Sequence, residues 1–336
     1  MSEFRFKYKD INEKGQPMGL FSSKAVLTRD SLVMARKTIP LVDVVGADGH
    51  SHNAVIVWRG PSGYANQEAF RVTSGGLKNV LRHVNSSCSR AKAARRKQQL
   101  IAEDKLDAYR EWNCPECQSV VDLSGREVSP QIWCPYCDIL VTQNGNPPRG
   151  EVSFHTCDQC GLYAQPKPMT VLYFWFAVVA FGYQYEIRRM CNVCMRKEAW
   201  KMLLVNFLFV VGVIPSVFQL LRAYFGGSKL SSAFRELDSA NAAFHKGDHM
   251  TASMLYRRIL EKHPDQAGVH FNNGLAQLGM GSTEQAMESF GASLNACINY
   301  EPAYGMLERL LHEAGNGEKL ERLRRRCDGV DYVPAS

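Results

Sequence analysis

The stretch 240–260, ANAAFHKGDHMTASMLYRRIL, has a counterpart 34 residues later in 274–294, GLAQLGMGSTEQAMESFGASL. Small residues let two helices approach closely, glycines end the first helix of each unit, and aromatic residues fill the space between helices. A fixed step of 34 predicts a stack of helix-turn-helix units. The matched pairs are Ala240/Gly274, Gly247/Gly281, Ala252/Ala286, Tyr256/Phe290 and Leu260/Leu294.

This step resembles the tetratricopeptide repeat (TPR) family over residues 233–326. The resemblance implies an all-α solenoid of two repeats plus capping helices, because the third unit keeps Gly315 but has Arg324 where an aromatic would pack. It also implies a protein or peptide ligand in the concave groove. The alternative is a purely structural or dimerising module. The residues expected to line the groove are Asn272, Leu275, Gln277 and Leu278.

Eight of the eleven cysteines form four Cys-x-x-Cys pairs, separated by 16, 19 and 30 residues. Two cysteines at this spacing can turn both sulfurs toward one ion, and a second pair completes a closed set of four thiolates. The sequence therefore predicts two structural Zn²⁺ sites, in ribbons at 113–140 and 153–198. The expected ligands are Cys114, Cys117, Cys134 and Cys137 for the first site and Cys157, Cys160, Cys191 and Cys194 for the second.

Three other roles for these cysteines fit the sequence less well than two sequential zinc sites. Disulfides need an oxidising compartment, and the first residues, MSEFRFKYKD, contain no apolar signal-peptide core. A redox-active pair fits poorly with four regularly spaced pairs. A cross-braced arrangement would resemble RING or FYVE modules and suggest a ubiquitin-ligase-like protein, but their histidine ligand and basic motif are missing. Cys88, Cys297 and Cys327 are interpreted as ordinary thiols.

An apolar stretch at 202–218, MLLVNFLFVVGVIPSVF, has Asn206 and Ser216 as its polar residues. As one helix, Ala199–Leu221 would be about 35 Å long at 1.5 Å per residue, enough for a hydrocarbon core of about 30 Å. The sequence therefore predicts a transmembrane helix within 199–225. Basic residues are more frequent before this stretch than after it, which places the zinc ribbons on the cytoplasmic side of a single-pass integral membrane protein.

A second apolar stretch, Met169–Tyr183, lies between the two cysteine pairs assigned to one zinc site. A single membrane crossing would separate those pairs, and the aromatic and β-branched content favours strands. We therefore expect an apolar hairpin whose tip, around Phe176–Phe181, touches the membrane interface. The alternative is packing on the ribbon. The arrangement resembles small bacterial membrane-associated zinc ribbons.

Residues 1–88 alternate in the manner of short strands and end in an amphipathic helix that begins near Gly75. This order resembles the pleckstrin-homology (PH-like) superfold. A basic linker helix at 89–112 follows. Its positive charges, like Lys7, Lys9 and Lys14, could meet anionic lipid, although solvated surfaces are the favoured explanation for both sets.

The 336 residues carry a net charge of +7, a mild excess that permits an anionic partner without requiring one. No phosphate-binding loop or hydrolase motif is present, and a closed four-cysteine site has no open position for catalytic water. The sequence thus predicts a multidomain α+β protein: a non-enzymatic, membrane-anchored adaptor. The alternative is a membrane-tethered nucleic-acid-binding protein, which is possible but not favoured.

Overall fold

The computed structural model describes residues 3–12, 15–50, 53–60, 63–142, 154–177, 180–207, 210–225 and 234–328. The chain divides into two compact units, Met1–Gly125 and Arg126–Ser336.

The first unit is built on a seven-stranded antiparallel sheet with the order β4-β3-β2-β1-β7-β6-β5. Side chains alternate between the two faces of β1, so that Phe6 and Tyr8 are buried against Phe70. The strands are β1 (Phe4–Asp10), β2 (Ser23–Leu27), β3 (Ser31–Met34), β4 (Lys37–Pro40), β5 (Val44–His50), β6 (Asn53–Arg59) and β7 (Ala65–Ser74).

One long helix, α1 (Leu77–Ala102), follows the sheet and buries Val80, Val84 and Cys88 in the same core. The predicted terminal helix and the first part of the predicted linker helix are therefore continuous. Of the basic residues expected to meet lipid, Arg90 and Lys92 donate hydrogen bonds to backbone carbonyls of the same unit. A 3-10 turn (Leu106–Ala108) and a short hairpin, β8 (Glu111–Asn113) and β9 (Val120–Asp122), complete this unit.

The second unit begins with short antiparallel hairpins and continues with helices. β10 pairs with β11, β12 with β13, and β14 with β15. The strands are β10 (Gln131–Trp133), β11 (Leu140–Thr142), β12 (His155–Thr156), β13 (Tyr163–Ala164), β14 (Lys167–Ala177) and β15 (Ala180–Met190). The helices are α2 (Asn192–Asn206), α3 (Val210–Phe225), α4 (Arg235–His245), α5 (His249–Lys262), α6 (Ala267–Gly279), α7 (Thr283–Ala296), α8 (Glu301–Glu313) and α9 (Gly317–Asp328).

Helices α4–α9 form three successive pairs, as the 34-residue step predicts. The turn inside each pair contains a glycine in the left-handed region, at φ +81° for Gly247, +77° for Gly281 and +65° for Gly315. An L-residue is strained there, which explains why glycine recurs at these positions. In the third pair Arg324 lies where an aromatic was expected, and its Nε donates to Glu308 Oε1 at 2.9 Å.

The predicted transmembrane helix is wrong. The apolar stretch is divided between α2 and α3, which end and begin at Asn206 and Val210. The helices have 15 and 16 residues, about 22 and 24 Å at 1.5 Å per residue. Within the part of the chain that the structure describes, none of the helices combines the length and apolarity that crossing a bilayer requires. The predicted location as a single-pass integral membrane protein depended on that helix and is wrong for the same reason.

The physical reason is that the two polar residues of the stretch pair with each other. Asn206 Nδ2 donates to Ser216 Oγ at 3.0 Å, and both side chains are fully buried. Trp200 Nε1, near the middle of α2, donates to Tyr224 Oη, at the end of α3, at 3.2 Å. The later residue of α2 thus contacts the earlier residue of α3 and the reverse, so α2 and α3 form an antiparallel hairpin.

The apolar stretch Met169–Tyr183 forms two antiparallel strands, β14 and β15, as predicted. Met169 and Val171 are buried with Met195 and Met202 of α2, so the base of the hairpin packs on that helix. Residues 178–179 and the side chains of 174–187 lie outside the described part, and the expected contact of Phe176–Phe181 with a membrane interface stays a prediction.

Candidate metal centres and repeat groove

The eight paired cysteines form two clusters of four, in which the sulfurs of each cluster lie within 4.8 Å of one another. The first pair joins the second and the third joins the fourth. The sequential arrangement is therefore confirmed, and the cross-braced alternative is wrong. The clusters are Cys114, Cys117, Cys134 and Cys137, and Cys157, Cys160, Cys191 and Cys194.

Three of the four Cys-x-x-Cys pairs have the same backbone turn. The amide of the residue directly after the second cysteine donates to the carbonyl of the first cysteine, at 2.8–2.9 Å. That residue has positive φ: +61° at Gln118, +63° at Asp138 and +71° at Gly161. The turn brings both sulfurs to one side of the backbone. The fourth pair differs, since Cys191 is the N-cap of α2 and Cys194 lies in its first turn.

The second cluster has the geometry of a four-thiolate metal site. Cys160 Sγ and Cys191 Sγ are 3.9 Å apart. A regular tetrahedron with metal–sulfur bonds of about 2.3 Å has sulfur–sulfur edges of about 3.8 Å, whereas a disulfide is about 2.05 Å long. The backbone amide of Cys191 donates to Cys157 Sγ at 3.2 Å. The donor set therefore fits a closed metal site, and the four cysteines are not disulfide-bonded.

A histidine that the sequence did not single out lies beside this cluster. His245 Nε2, at the end of α4, is 3.7 Å from Cys194 Sγ and 3.9 Å from Cys191 Sγ. It is placed to donate an N–H···S hydrogen bond to these sulfurs, which orients ligands from outside the set of four. His155, which is closer in sequence, instead has Nδ1 3.3 Å from the Asp138 carbonyl oxygen.

The four thiols of the second cluster perturb one another strongly. Hydrogen bonds from Cys160, Cys191 and Cys194 lower the pKa of Cys157 far below its usual value. The hydrogen bond to Cys157 is the main reason that the pKa values of Cys191 and Cys194 are raised. Without metal, Cys191 and Cys194 therefore stay protonated at neutral pH.

Metal uptake at the second cluster is expected to release protons, because a thiol must lose its proton before it binds the ion. At least the protons of Cys191 and Cys194 should leave at pH 7, so the apparent affinity for Zn²⁺ should rise with pH. Calorimetric titrations in two buffers of different ionisation enthalpy measure the number released. A variant with Cys88→Ala, which removes a thiol that belongs to neither cluster, is the control and should release the same number of protons. Binding without proton release would contradict this protonation pattern.

The face of the repeat helices that carries Asn272 is in contact with the strand that follows the third cysteine pair. Asn272 Oδ1 accepts from the Tyr163 amide at 2.8 Å, and Asn272 Nδ2 donates to the Tyr163 carbonyl at 2.8 Å. Asn241 Nδ2 donates to the same carbonyl at 3.1 Å, and Tyr256 Oη donates to Asn241 Oδ1 at 2.6 Å. We call Asn241 and Asn272 the amide clamp. Both of these side chains are buried, as are those of Tyr163 and Tyr256.

A further asparagine, Asn299, holds the first ribbon as Asn272 holds Tyr163. Asn299 Oδ1 accepts from the Trp133 amide at 3.1 Å, and its Nδ2 donates to the Trp133 carbonyl at 2.7 Å. Gln131 Oε1 accepts from the Ala267 amide at 3.0 Å. Trp133, Leu140, Phe154 and Tyr163 consequently share one hydrophobic core with the repeat helices.

The other predicted groove residues lie farther along α6. Gln277 is buried and its Oε1 accepts from Ser289 Oγ at 2.7 Å. Leu275 and Leu278 are partly buried against the core of the repeats. Of the four predicted residues, Asn272 is the one whose polar contacts reach an extended segment, and peptide binding by all four stays a prediction.

Comparison with known proteins gives limited help. No protein-family model matches the chain, and no curated protein matches it. A solved structure of MamA AMB-1 is 16% identical, with a TM-score of 0.27, over 41% of this chain and 78% of that chain. A second solved structure, of a MamA mutant, is 15% identical, with a TM-score of 0.25, over 43% and 98% of the two chains. Neither comparison tests the PH-like assignment, which stays a prediction, and neither supports lipid or nucleic acid as a partner.

Proposed function

We propose that this chain is a non-enzymatic scaffold whose TPR-like helical repeats bind a protein partner and whose two cysteine clusters hold structural Zn²⁺. A closed set of four thiolates suits a bracing role, because it has no position at which the metal could activate water or polarise a substrate. The thiolates require a reduced state, in keeping with eleven cysteines that are all free of disulfides.

The amide clamp is the observation that carries the proposal. One side-chain amide accepts from the N–H and donates to the C=O of a single residue, and therefore recognises an extended backbone independently of its side chains. Backbone pairing of this kind, combined with pockets for side chains, is a common basis of peptide recognition. The repeat helices thus have the chemistry that a peptide-binding surface needs.

Site-specific photocrosslinking tests the proposed function. A photoreactive amino acid replaces Leu278, which is partly buried on α6, in the full chain. In an extract of the native cells, we expect it to form discrete crosslinks to one or a few proteins. The control carries the same group at Met250, which is 75% exposed on α5.

Two outcomes would contradict the scaffold proposal. One is a crosslinking pattern at Leu278 that does not rise above the background of irradiated wild-type chain. The other is the same set of products from Leu278 and Met250, which would indicate adhesion without a binding face. Metal analysis of the same preparations should give about two zinc ions per chain, as the two clusters of four cysteines require.

A further inference from the structure

The amide clamp is already filled by a segment of its own chain. Tyr163 lies in β13, which pairs with β12 through Thr156. Its amide and carbonyl are satisfied by Asn272 and Asn241 at 2.8–3.1 Å. The repeats therefore hold Tyr163 as they would hold a residue of an extended ligand.

The aromatic ring of Tyr163 has a fitted place beside the clamp. A Cβ atom on Gly268 would lie 2.3 Å from Tyr163 Cγ, so the ring covers α6 where that helix has no side chain. Phe154 stacks on the same ring with a centroid distance of 5.5 Å. The clamp and the bare surface at Gly268 together select an extended segment that contains an aromatic residue.

The second cysteine cluster fixes this segment in place. Tyr163 follows Cys160 by three residues, and the Cys157 amide donates to the Leu162 carbonyl at 2.9 Å. The other half of the cluster is also attached to the repeats, since Asn192 Nδ2 donates to Asp238 Oδ2 at 2.8 Å. A metal ion bound by the four sulfurs would join two segments, of which one is anchored on α4 and α6 and the other on α4.

We propose that the amide clamp is a binding site for an extended, aromatic-containing segment of another protein, that Tyr163 occupies it in cis, and that loss of metal from the second cluster opens it. This inference rests on the proposed function, because it names the ligand class and the regulation of the repeat surface. With metal bound, the four sulfurs fix the backbone around Tyr163. Without metal, the segment has to be ordered each time it enters the clamp.

Competition between cis and trans ligands sets the expected size of the effect. A flexibly tethered segment competes at an effective concentration on the order of mM, and a pre-organised one competes far more strongly. Removing the metal or the Tyr163 ring weakens the binding of the chain's own segment and leaves Asn241 and Asn272 unchanged. Apparent affinity for an external ligand should then rise at least about tenfold, which corresponds to about 1.4 kcal/mol.

The test uses the purified full chain and a dye-labelled peptide, GLYAQPKP, which has the sequence of residues 161–168. Fluorescence anisotropy should show no saturable binding to the zinc-loaded wild type. Tyr163→Ala, which retains both cysteine clusters, should bind the peptide with an affinity at least tenfold above the upper limit measured for the zinc-loaded wild type. The wild type after treatment with a chelator and a reductant should do the same.

Two controls assign the binding to the clamp. A peptide methylated on the tyrosine nitrogen lacks the N–H that Asn272 Oδ1 accepts, and it should not bind to any form. The variant Asn272→Ala, combined with Tyr163→Ala, should lose the affinity that Tyr163→Ala gained.

Two further variants test which cluster controls the clamp. Cys157→Ser should open the clamp, whereas Cys114→Ser, which removes a cysteine of the first cluster, should leave it closed.

Hydrogen exchange on the wild-type chain tests the metal dependence without any variant, and therefore does not depend on how well a variant folds. Hydrogen exchange of the wild-type Tyr163 amide should be slow with zinc and at least tenfold faster after chelation, while helix α7 stays protected. Equal exchange in both states would overturn the metal dependence. Equal binding of the methylated and unmethylated peptides would overturn the clamp. Chelated chain that dimerises in light scattering and leaves the peptide unbound would show that a second copy is the ligand, which contradicts the proposal.

These outcomes are separable from those of the crosslinking experiment, because a defined peptide replaces the unknown partner. A clamp that never opens would remove the amide clamp as support for the scaffold proposal, which would then depend on the crosslinks at Leu278. Absence of crosslinked partners would leave the peptide measurements unchanged.

Discussion

Cys157→Ser is expected to reduce the zinc content of the chain from two ions to one and to cause the largest loss of stability of any single substitution considered. Apparent binding free energies of structural zinc sites are about 10–16 kcal/mol in small zinc-binding peptides at pH 7. A site with three thiolates and a hydroxyl loses much of that free energy. The loss should exceed the approximately 3–5 kcal/mol that truncation of a buried aromatic side chain costs.

The consequence should reach beyond the cluster itself. Cys157 and Cys160 hold the turn before Tyr163, while Cys191 begins helix α2. Without the ion, the second ribbon loses the connection between its two halves. Thermal unfolding should therefore begin at a lower temperature and become less cooperative, and metal analysis on the folded fraction should give one zinc ion per chain.

Cys88→Ala provides the matched control. Cys88 is buried in the core of the first unit and belongs to neither cluster, and burial raises the pKa of its thiol to about 12. The substitution should cost about 1–2 kcal/mol through a small cavity and leave two zinc ions bound. A Cys157→Ser protein that still binds two equivalents with wild-type stability would exclude a metal role for the second cluster.

Local patterns in the sequence predicted the two cysteine clusters, because a Cys-x-x-Cys turn is a short-range arrangement. The residue after each second cysteine carries part of the same signal. Gly161 and Asp138 are residue types that tolerate positive φ, and both have it, as does Gln118. The sequential pairing of the clusters was the simpler prediction, and it is confirmed.

The helices of 199–221 could not be predicted from composition. A run of apolar residues has the same hydropathy whether it continues as one helix or folds back as two. The choice depends on the pairing of Asn206 with Ser216, ten residues apart, which satisfies both polar groups inside the hairpin. Asn206 and Ser216 stand out in the sequence as the polar residues of the stretch, but no local pattern indicates that they pair with each other.

The asparagines that hold strands were also beyond sequence reasoning. Asn85 pairs with the amide and carbonyl of Ala47 at 3.1 and 2.9 Å, as Asn272 does with Tyr163 and Asn299 with Trp133. Each pairing satisfies a buried backbone and a buried side chain at once. The partners are separated by 38, 109 and 166 residues, so no local pattern indicates them.

The second large effect is expected from Gly268→Ala, which tests the packing of Tyr163 on the repeats. The added Cβ would lie 2.3 Å from Cγ and 2.4 and 2.6 Å from the two Cδ atoms of the ring. The ring has little freedom to move, because Asn241 and Asn272 hold its backbone and Phe154 covers its face. Forced overpacking of this kind costs about 1–3 kcal/mol.

Gly291→Ala is the control, and its effect should have the opposite sign. Gly291 lies inside α7, and among the described residues no atom outside the neighbouring turns of that helix's own backbone is within 4 Å of the position that its Cβ would take. Alanine is favoured over glycine in a helix interior by about 1 kcal/mol, so this variant should be more stable than wild type. The two unfolding free energies, measured in urea on zinc-loaded protein, should therefore differ by about 2–4 kcal/mol. Stabilisation by both substitutions would show that β13 does not rest on α6, and it would remove the structural basis of the clamp.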